Sequence, residues 1–482
     1  MRSSTDFPWN SSITAERAAV SAGRIGHLKA YNGGLVWQQD IPNQAGRSAL
    51  FWASNGKIKE VSPPGANIRT RVHEYGGGAF LPLKDDILTV DLDKGHELGF
   101  AHSGRVILSG DPINDSVRFA DFAFNERTGV FYCIRESHSS VGVVNELVAI
   151  TPRANGSVIN VIQNEHDFVT SPRVSPDNKR LVWLAWDKPQ MPWEGTYLYS
   201  ADLTGELIAP ELIAGSPSES INQPTFSASG GLYVVSDRTG WWNLYCYDGN
   251  SLSEICRQSA DFSRPHWVLT KDSFVVLTDS TYVCIIEKYG TEDLVLVRDG
   301  QMRSLGLPFS SYAEVCALDA NHVGVIAAAS NHTYAVMKVN VFTTAIEIQK
   351  SPSEALPKDQ VSTPRFMSFK SGDHDRAYCL FYPPNPPDHL SAKDVLPPLI
   401  VMCHGGPTAK ATTDLNLKVQ FFTSRGFAVV DVNYRGSSGF GRSYRQCLNG
   451  HWGIYDAEDC INAAKHLVNL RLVDGERMVI RG

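Results

Sequence analysis

The sequence has 482 residues, 43% hydrophobic and 20% charged, which is ordinary globular composition and excludes a largely disordered chain. At ~150 residues per domain the length allows three ordinary domains, or one large repeat body plus one more. Lysine and arginine number 44 against 51 aspartate and glutamate, a formal charge of −7 without a basic run, so nucleic acid is a poor candidate partner.

The longest apolar stretches, Leu399-Ile-Val-Met402 and Val323 to Ala329, fall far short of the ~20 residues of a membrane span. Met1-Arg-Ser-Ser-Thr-Asp-Phe-Pro8 carries no apolar core after its charge and does not read as a secretory signal. Nine scattered cysteines without a C-x-x-C read as reduced packing residues of a cytoplasmic protein, and the sequon at Asn10 is weak evidence to the contrary.

Residues 25–355 are read as β-structure throughout: short runs of Val, Ile, Tyr, Phe and Trp cut by Gly, Asn, Asp and Pro, with no helix-period segment. Two stretches resemble each other, one opening at Ser171-Pro-Arg-Val174 and the other at Gln223-Pro-Thr-Phe226, and a third is expected to open at Arg264-Pro-His-Trp267. Pro172, Pro224 and Pro265 lie 52 and then 41 residues apart, near the ~40–50-residue period of a propeller blade, which predicts about seven blades. The alternative is a β-sandwich, which rarely spends so many residues.

After residue 356 the composition changes. Pro364–Phe369 and Arg376–Tyr382 read as paired strands around Lys370-Ser-Gly-Asp-His374, followed by the proline-rich linker Pro383–Pro387. Pro398–Cys403 and Phe427–Asn433 read as strands buried on both faces. Leu415–Ser424 and Tyr455–Leu470 read as helices, the second with Ile461, Ala464, His466 and Leu467 near one face, and Arg477–Arg481 as a last strand. Strands alternating with helices predict an α/β domain with a mainly parallel sheet, here only ~120 residues long.

Two segments can carry chemistry. His404-Gly-Gly-Pro407 directly follows a buried strand, where glycines let backbone N–H groups turn toward a developing oxyanion. Asn433-Tyr-Arg-Gly-Ser-Ser-Gly-Phe-Gly441 follows the next strand; it has neither G-K-[ST] nor G-x-G-x-x-G, which argues against a nucleotide site. His73-Glu74 is no zinc motif, because Gly77 and Gly78 stand where the second histidine of H-E-x-x-H would be.

Together with Gly450-His-Trp-Gly-Ile-Tyr-Asp-Ala-Glu-Asp459, Arg71–Gly78 and Phe119–Phe124, these segments resemble the prolyl oligopeptidase family of serine peptidases, nearest in pattern to its acylaminoacyl-peptidase and dipeptidyl-aminopeptidase branch. The resemblance implies an N-terminal segment (1–24) packing on the hydrolase domain, a β-propeller (25–355) and a partial α/β-hydrolase domain (356–482). It implies hydrolysis of short peptides through an acyl-enzyme, as an aminopeptidase or acylaminoacyl-peptidase, with no metal and no cofactor.

That chemistry needs a serine in G-x-S-x-G, then an aspartate, then a histidine. None of the 482 residues forms that elbow: Gly436-Ser-Ser-Gly439 has the wrong spacing, and the triad is expected beyond Gly482. The chain alone is then expected to be inactive, and to associate with itself through the exposed edge of its last strand. Within the chain the resemblance assigns His404, Gly405 and Gly406 to the oxyanion region. Tyr434, Arg435, Glu136, Arg135 and Glu74 are candidate substrate contacts, with Arg435 also read as a buried ion-pair member. The rival readings are a non-catalytic propeller that binds peptides or proteins, and one half of a split enzyme.

Overall fold

The computed structural model describes residues 10–19, 23–113, 116–205, 209–372, 375–385 and 396–482. Seven four-stranded antiparallel sheets follow one another in the sequence, over 25–60, 80–108, 117–163, 168–216, 221–256, 274–304 and 311–350. The first strand of each sheet packs against the first strand of the next, and that of the seventh against that of the first. This is a closed seven-bladed β-propeller with those strands innermost.

The repeat has a physical marker. His27, Asp121, Ser171 and Gln223 each adopt left-handed backbone inside an innermost strand, and at each the pairing register shifts. Such a bulge sharpens local twist and leaves a position out of the ladder. A proline, which lacks the N–H, is tolerated there, as at Pro172 and Pro224. The third expected repeat is corrected: Arg264–Trp267 lies in the loop ahead of the sixth blade's innermost strand, Phe274–Thr278. Pro265 therefore matches the period by coincidence.

No strand is shared between the first and last blades, so closure rests on side chains. Leu28, Leu35 and Trp37 pack against Cys316, Ile326 and Val336. Glu314 of the seventh blade accepts hydrogen bonds from the backbone N–H groups of His27 (2.9 Å) and Leu28 (2.8 Å) in the first. Partly buried pairs tie other blades together, among them Lys29 with Asp272 and Arg173 with Asp121. Segment 73–78 crosses between blades: Gly77 forms a parallel bridge with Leu269, and a Cβ there would meet the Leu269 oxygen at 2.4 Å. His73 and Glu74, with φ of 54° and 65°, lie in the turn that opens this segment.

The second domain is a five-stranded mixed sheet, in the order Arg365–Ser371, Asp375–Tyr382, Ala428–Asn433, Leu399–Cys403, Met478–Arg481. The last three are mutually parallel, the pattern of part of an α/β-hydrolase sheet. Helix Tyr455–Asn469 covers one face through Cys460, Ala463, Ala464 and Leu467. Ile461 is corrected: it is 53% exposed, because the buried stripe at i, i+3, i+4, i+7 starts from Cys460, one step around the helix. Helix Leu417–Thr423 covers the other face, its N-cap Asn416 accepting from Lys418 N and Val419 N. Met478, Val479 and Ile480 are exposed on the edge strand.

Helix Ala15–Ala19 lies against helix Leu417–Thr423. Ile13 packs with Leu356, Val361 and Leu415, and Arg425 donates to the Ile13 carbonyl at 2.9 Å. Residues 1–9, His374, and the linker from Pro386 lie outside the described residues. No helix is long and apolar enough to cross a membrane, among the described residues, and all nine cysteines are free thiols.

The two domains meet through buried charge. Asp237 of the propeller accepts from Arg442 and Arg445, each at 2.6 Å, and Asp261 accepts from Gly441 N at 3.1 Å. Lys410 bridges Glu287 and Glu292. The Trp267 indole donates to the Thr408 carbonyl at 2.8 Å. Gly441 of the 433–441 loop thus serves domain docking: a Cβ there would meet the Gly240 oxygen at 3.0 Å and the ring of Trp241.

Candidate active site

Strand Leu399–Cys403 delivers His404-Gly-Gly-Pro407 to the end of the sheet where its parallel neighbour Met478–Arg481 also finishes. Gly405 and Gly406 are exposed, and a Cβ on Gly405 would meet nothing within 4 Å. Gly406 has φ +134°, and a Cβ there would press on Thr408 N at 2.8 Å. Only glycine keeps this turn. Backbone facing open space at a strand end is the setting in which N–H groups can take up an oxyanion.

The turn is held from behind. The Tyr434 hydroxyl donates to the His404 carbonyl at 2.9 Å, and the two rings stack with centroids 4.4 Å apart. His404 Nε2 lies 2.8 Å from Ser437 Oγ, and Ser437 in turn donates to the Tyr434 carbonyl at 2.7 Å. Burial pulls the His404 imidazole down to about 4, with its contact to the Gly405 carbonyl opposing, so the ring is neutral at pH 7. The histidine–serine contact has the separation of a base and its nucleophile. Ser437 is fully buried, however, and its proton is committed to a carbonyl. The pair positions the turn and does not attack.

Tyr434 and Arg435, offered by the sequence as substrate contacts, are interior groups. Tyr434 is buried against the turn. Arg435 is fully buried, its guanidinium paired with Asp459 (2.9 Å) and Glu458 (2.5 Å) and lying over the Tyr455 ring at 4.0 Å. These partners raise its already high pKa against the effect of burial.

The propeller candidates form two separate groups. Arg135 pairs with Glu146 at 2.6 Å along its own blade. Glu136 is buried and accepts from His73 N (2.7 Å), Arg118 Nη1 (3.1 Å) and His138 Nε2 (2.7 Å). Glu74 is exposed and meets the same Arg118 nitrogen at 2.7 Å. Among the described residues, Glu74, Glu136 and His138 are the group whose spacing could hold a metal ion. The Arg118 guanidinium lies between the two carboxylates, where a cation would sit, so the donor set is already charge-compensated.

Sequence reasoning missed the parts played by Asp459, by Ser437 and by the aromatic group around Trp267. Asp459 belongs to the buried stripe of its helix, a signal that periodicity could have supplied. Ser437 becomes the partner of His404 only through the fold. Tyr75 and Trp267 meet edge to face with centroids 5.0 Å apart, and Trp267 also meets Trp193 at 4.4 Å, making an aromatic group beside Thr408.

A family model described as the prolyl oligopeptidase family matches residues 413–482. Acylamino-acid-releasing enzyme 1 of Oryza sativa subsp. japonica is 23% identical over 236 residues, 48% of this chain and 25% of that protein. The stretches matched in the first curated relatives span a quarter or less of those proteins, at 16%, 11% and 25%. Among solved structures, a puromycin hydrolase is 30% identical with a TM-score of 0.90, covering 98% of this chain and 76% of that one. A puromycin-hydrolyzing peptidase of Mycobacterium tuberculosis is 28% identical with a TM-score of 0.91, covering 99% and 76%. Matched by that family model and, over nearly its whole length, by a solved structure 30% identical to it, this chain belongs to the prolyl oligopeptidase family.

Proposed function

We propose that these residues supply the propeller and the oxyanion-bearing part of a serine peptidase that cleaves short peptides through an acyl-enzyme, of the aminopeptidase or acylaminoacyl-peptidase type. The observation that carries this reading is the exposed Gly405–Gly406 turn, braced by Tyr434 and His404 at the sheet end that strand Met478–Arg481 also reaches. In α/β-hydrolases one oxyanion donor comes from such a turn and the other from the residue after the nucleophile. The turn alone can stabilise a tetrahedral intermediate but cannot form one. Among these 482 residues there is no G-x-S-x-G, and Ser437 is buried and engaged.

The test is labelling by a fluorophosphonate serine-hydrolase probe. The 482-residue chain is expected to stay unlabelled and to leave aminoacyl-p-nitroanilides and acyl-peptides intact. The same chain joined to the nucleophile elbow, aspartate and histidine segment of a puromycin hydrolase is expected to gain both activities. Stoichiometric labelling of the unextended chain, mapped to Ser437 or Ser438, would overturn the reading.

A further inference from the structure

Leu399, Val401 and Cys403 alternate onto the sheet face that helix Tyr455–Asn469 covers, while Ile400 and Met402 turn to the other face. On that helix the buried apolar stripe begins at Cys460. The last residue of the strand and the first of the stripe therefore face each other, directly ahead of the His404-Gly-Gly turn. Their thiols are in contact: the Cys460 S–H donates to Cys403 Sγ, and the Cys403 S–H to the Arg481 carbonyl at 3.8 Å. Cys460 is buried, whereas Cys403 is partly open to solvent.

An oxidisable thiol must be reached and must ionise, and it forms a disulfide when a second thiol lies beside it. Burial raises both thiols, Cys460 to about 12, and at Cys403 the hydrogen bond from Cys460 works against burial. Cys403 is thus the sulfur that an oxidant meets first, and Cys460 the one placed to resolve it. Their chain neighbours belong to the candidate site. Cys403 precedes His404, and Cys460 follows Asp459, which holds Arg435. A bond between the sulfurs would tie the strand that carries the turn to the helix that anchors the next loop.

We propose that Cys403 and Cys460 are a site of reversible oxidation by peroxide, and that their disulfide clamps the His404-Gly-Gly turn. The Cys403 thiolate attacks hydrogen peroxide, takes one oxygen as a sulfenic acid, and the departing hydroxide leaves as water with the proton that the thiol gave up. The Cys460 sulfur then attacks the sulfenic sulfur, forming the S–S bond and releasing a second water.

The 482-residue chain treated with hydrogen peroxide at about pH 8, where more thiolate is present, tests this by intact mass and by mapping of unreduced peptides. The expected result is loss of two hydrogen atoms, a Cys403–Cys460 peptide pair, and return to the starting mass with dithiothreitol. Cys403→Ser is expected to abolish the crosslink, and Cys460→Ser to leave Cys403 as sulfenic or sulfinic acid. The wild-type map decides the pairing even where Cys460→Ser, a buried substitution, fails to fold. Hydrogen exchange at the Gly405 and Gly406 amides is expected to slow about tenfold in the oxidised chain. Oxidation of wild-type Cys403 without a partner, a crosslink to another cysteine, or no reaction would overturn the pair. A Cys403–Cys460 bond that leaves exchange at the turn unchanged would overturn the clamp.

Discussion

The carboxylate of Asp459 accepts both the backbone N–H of Arg435, at 2.7 Å, and its guanidinium, at 2.9 Å, with both residues fully buried. One aspartate on helix Tyr455–Asn469 therefore fixes the start of the loop that docks on the propeller. Ser371, at the end of edge strand Arg365–Ser371, donates to the same carboxylate. Removing one partner of a buried pair strands the other charge, at a cost of about 3–5 kcal/mol. Asp459→Ala is expected to lose that much stability in urea unfolding, and Glu458→Ala, whose acid is partly exposed, well under half of it.

At the seam between first and seventh blades, a Cβ on Gly324 would meet Leu35 Cδ2 at 2.3 Å and Cys316 Sγ at 2.8 Å. The seam has no shared strand, so this packing is what closes the ring. Gly324→Ala is expected to destabilise by about 1–3 kcal/mol, the range for overpacking a filled core. It should also speed proteolysis of the propeller. Unchanged melting and cleavage would show that the seam relaxes freely.

Asp237 holds Arg442 and Arg445 across the domain boundary. Asp237→Ala leaves two arginines facing a buried gap, and about 3–5 kcal/mol of docking should go with it. In calorimetry the α/β domain is expected to melt ahead of the propeller, as two transitions. A single transition at the original temperature would count against docking through this acid.

Burial alone raises the Asp431 carboxyl to about 6 on strand Ala428–Asn433. A folded-state value above the unfolded one means the folded chain holds the proton longer. Its contribution is therefore full below pH ~4 and is lost as pH rises through 6. Asp431→Asn is expected to match wild type at pH 4 and to exceed it at pH 8 by up to about 3 kcal/mol. A constant difference across that range would refute the assignment.

Much of this architecture was legible in the chain because it depends on local chemistry. Alternating apolar runs punctuated by glycine, proline and aspartate specify short antiparallel strands, and their spacing of about 50 residues specifies blades. The apolar runs at Leu399–Cys403 and Ala428–Asn433, each followed by a glycine-bearing loop, marked the parallel part of the sheet and the end that bears the candidate site. Other features depend on which distant segments meet, and residue type does not encode that. Pro265 kept the period yet fell in a loop, because the sixth blade has its left-handed residue at Thr270, five positions later. Tyr434 looked like a ligand by family position and packing made it a brace beneath the turn, whereas Arg435 is the buried ion-pair member that its sequence reading also offered. Glu136 and Glu74, 62 positions apart, became neighbours through a single Arg118 guanidinium. Local patterning decides strands, turns and repeats. Long-range packing decides which polar groups are satisfied, and the candidate sites follow from that second decision.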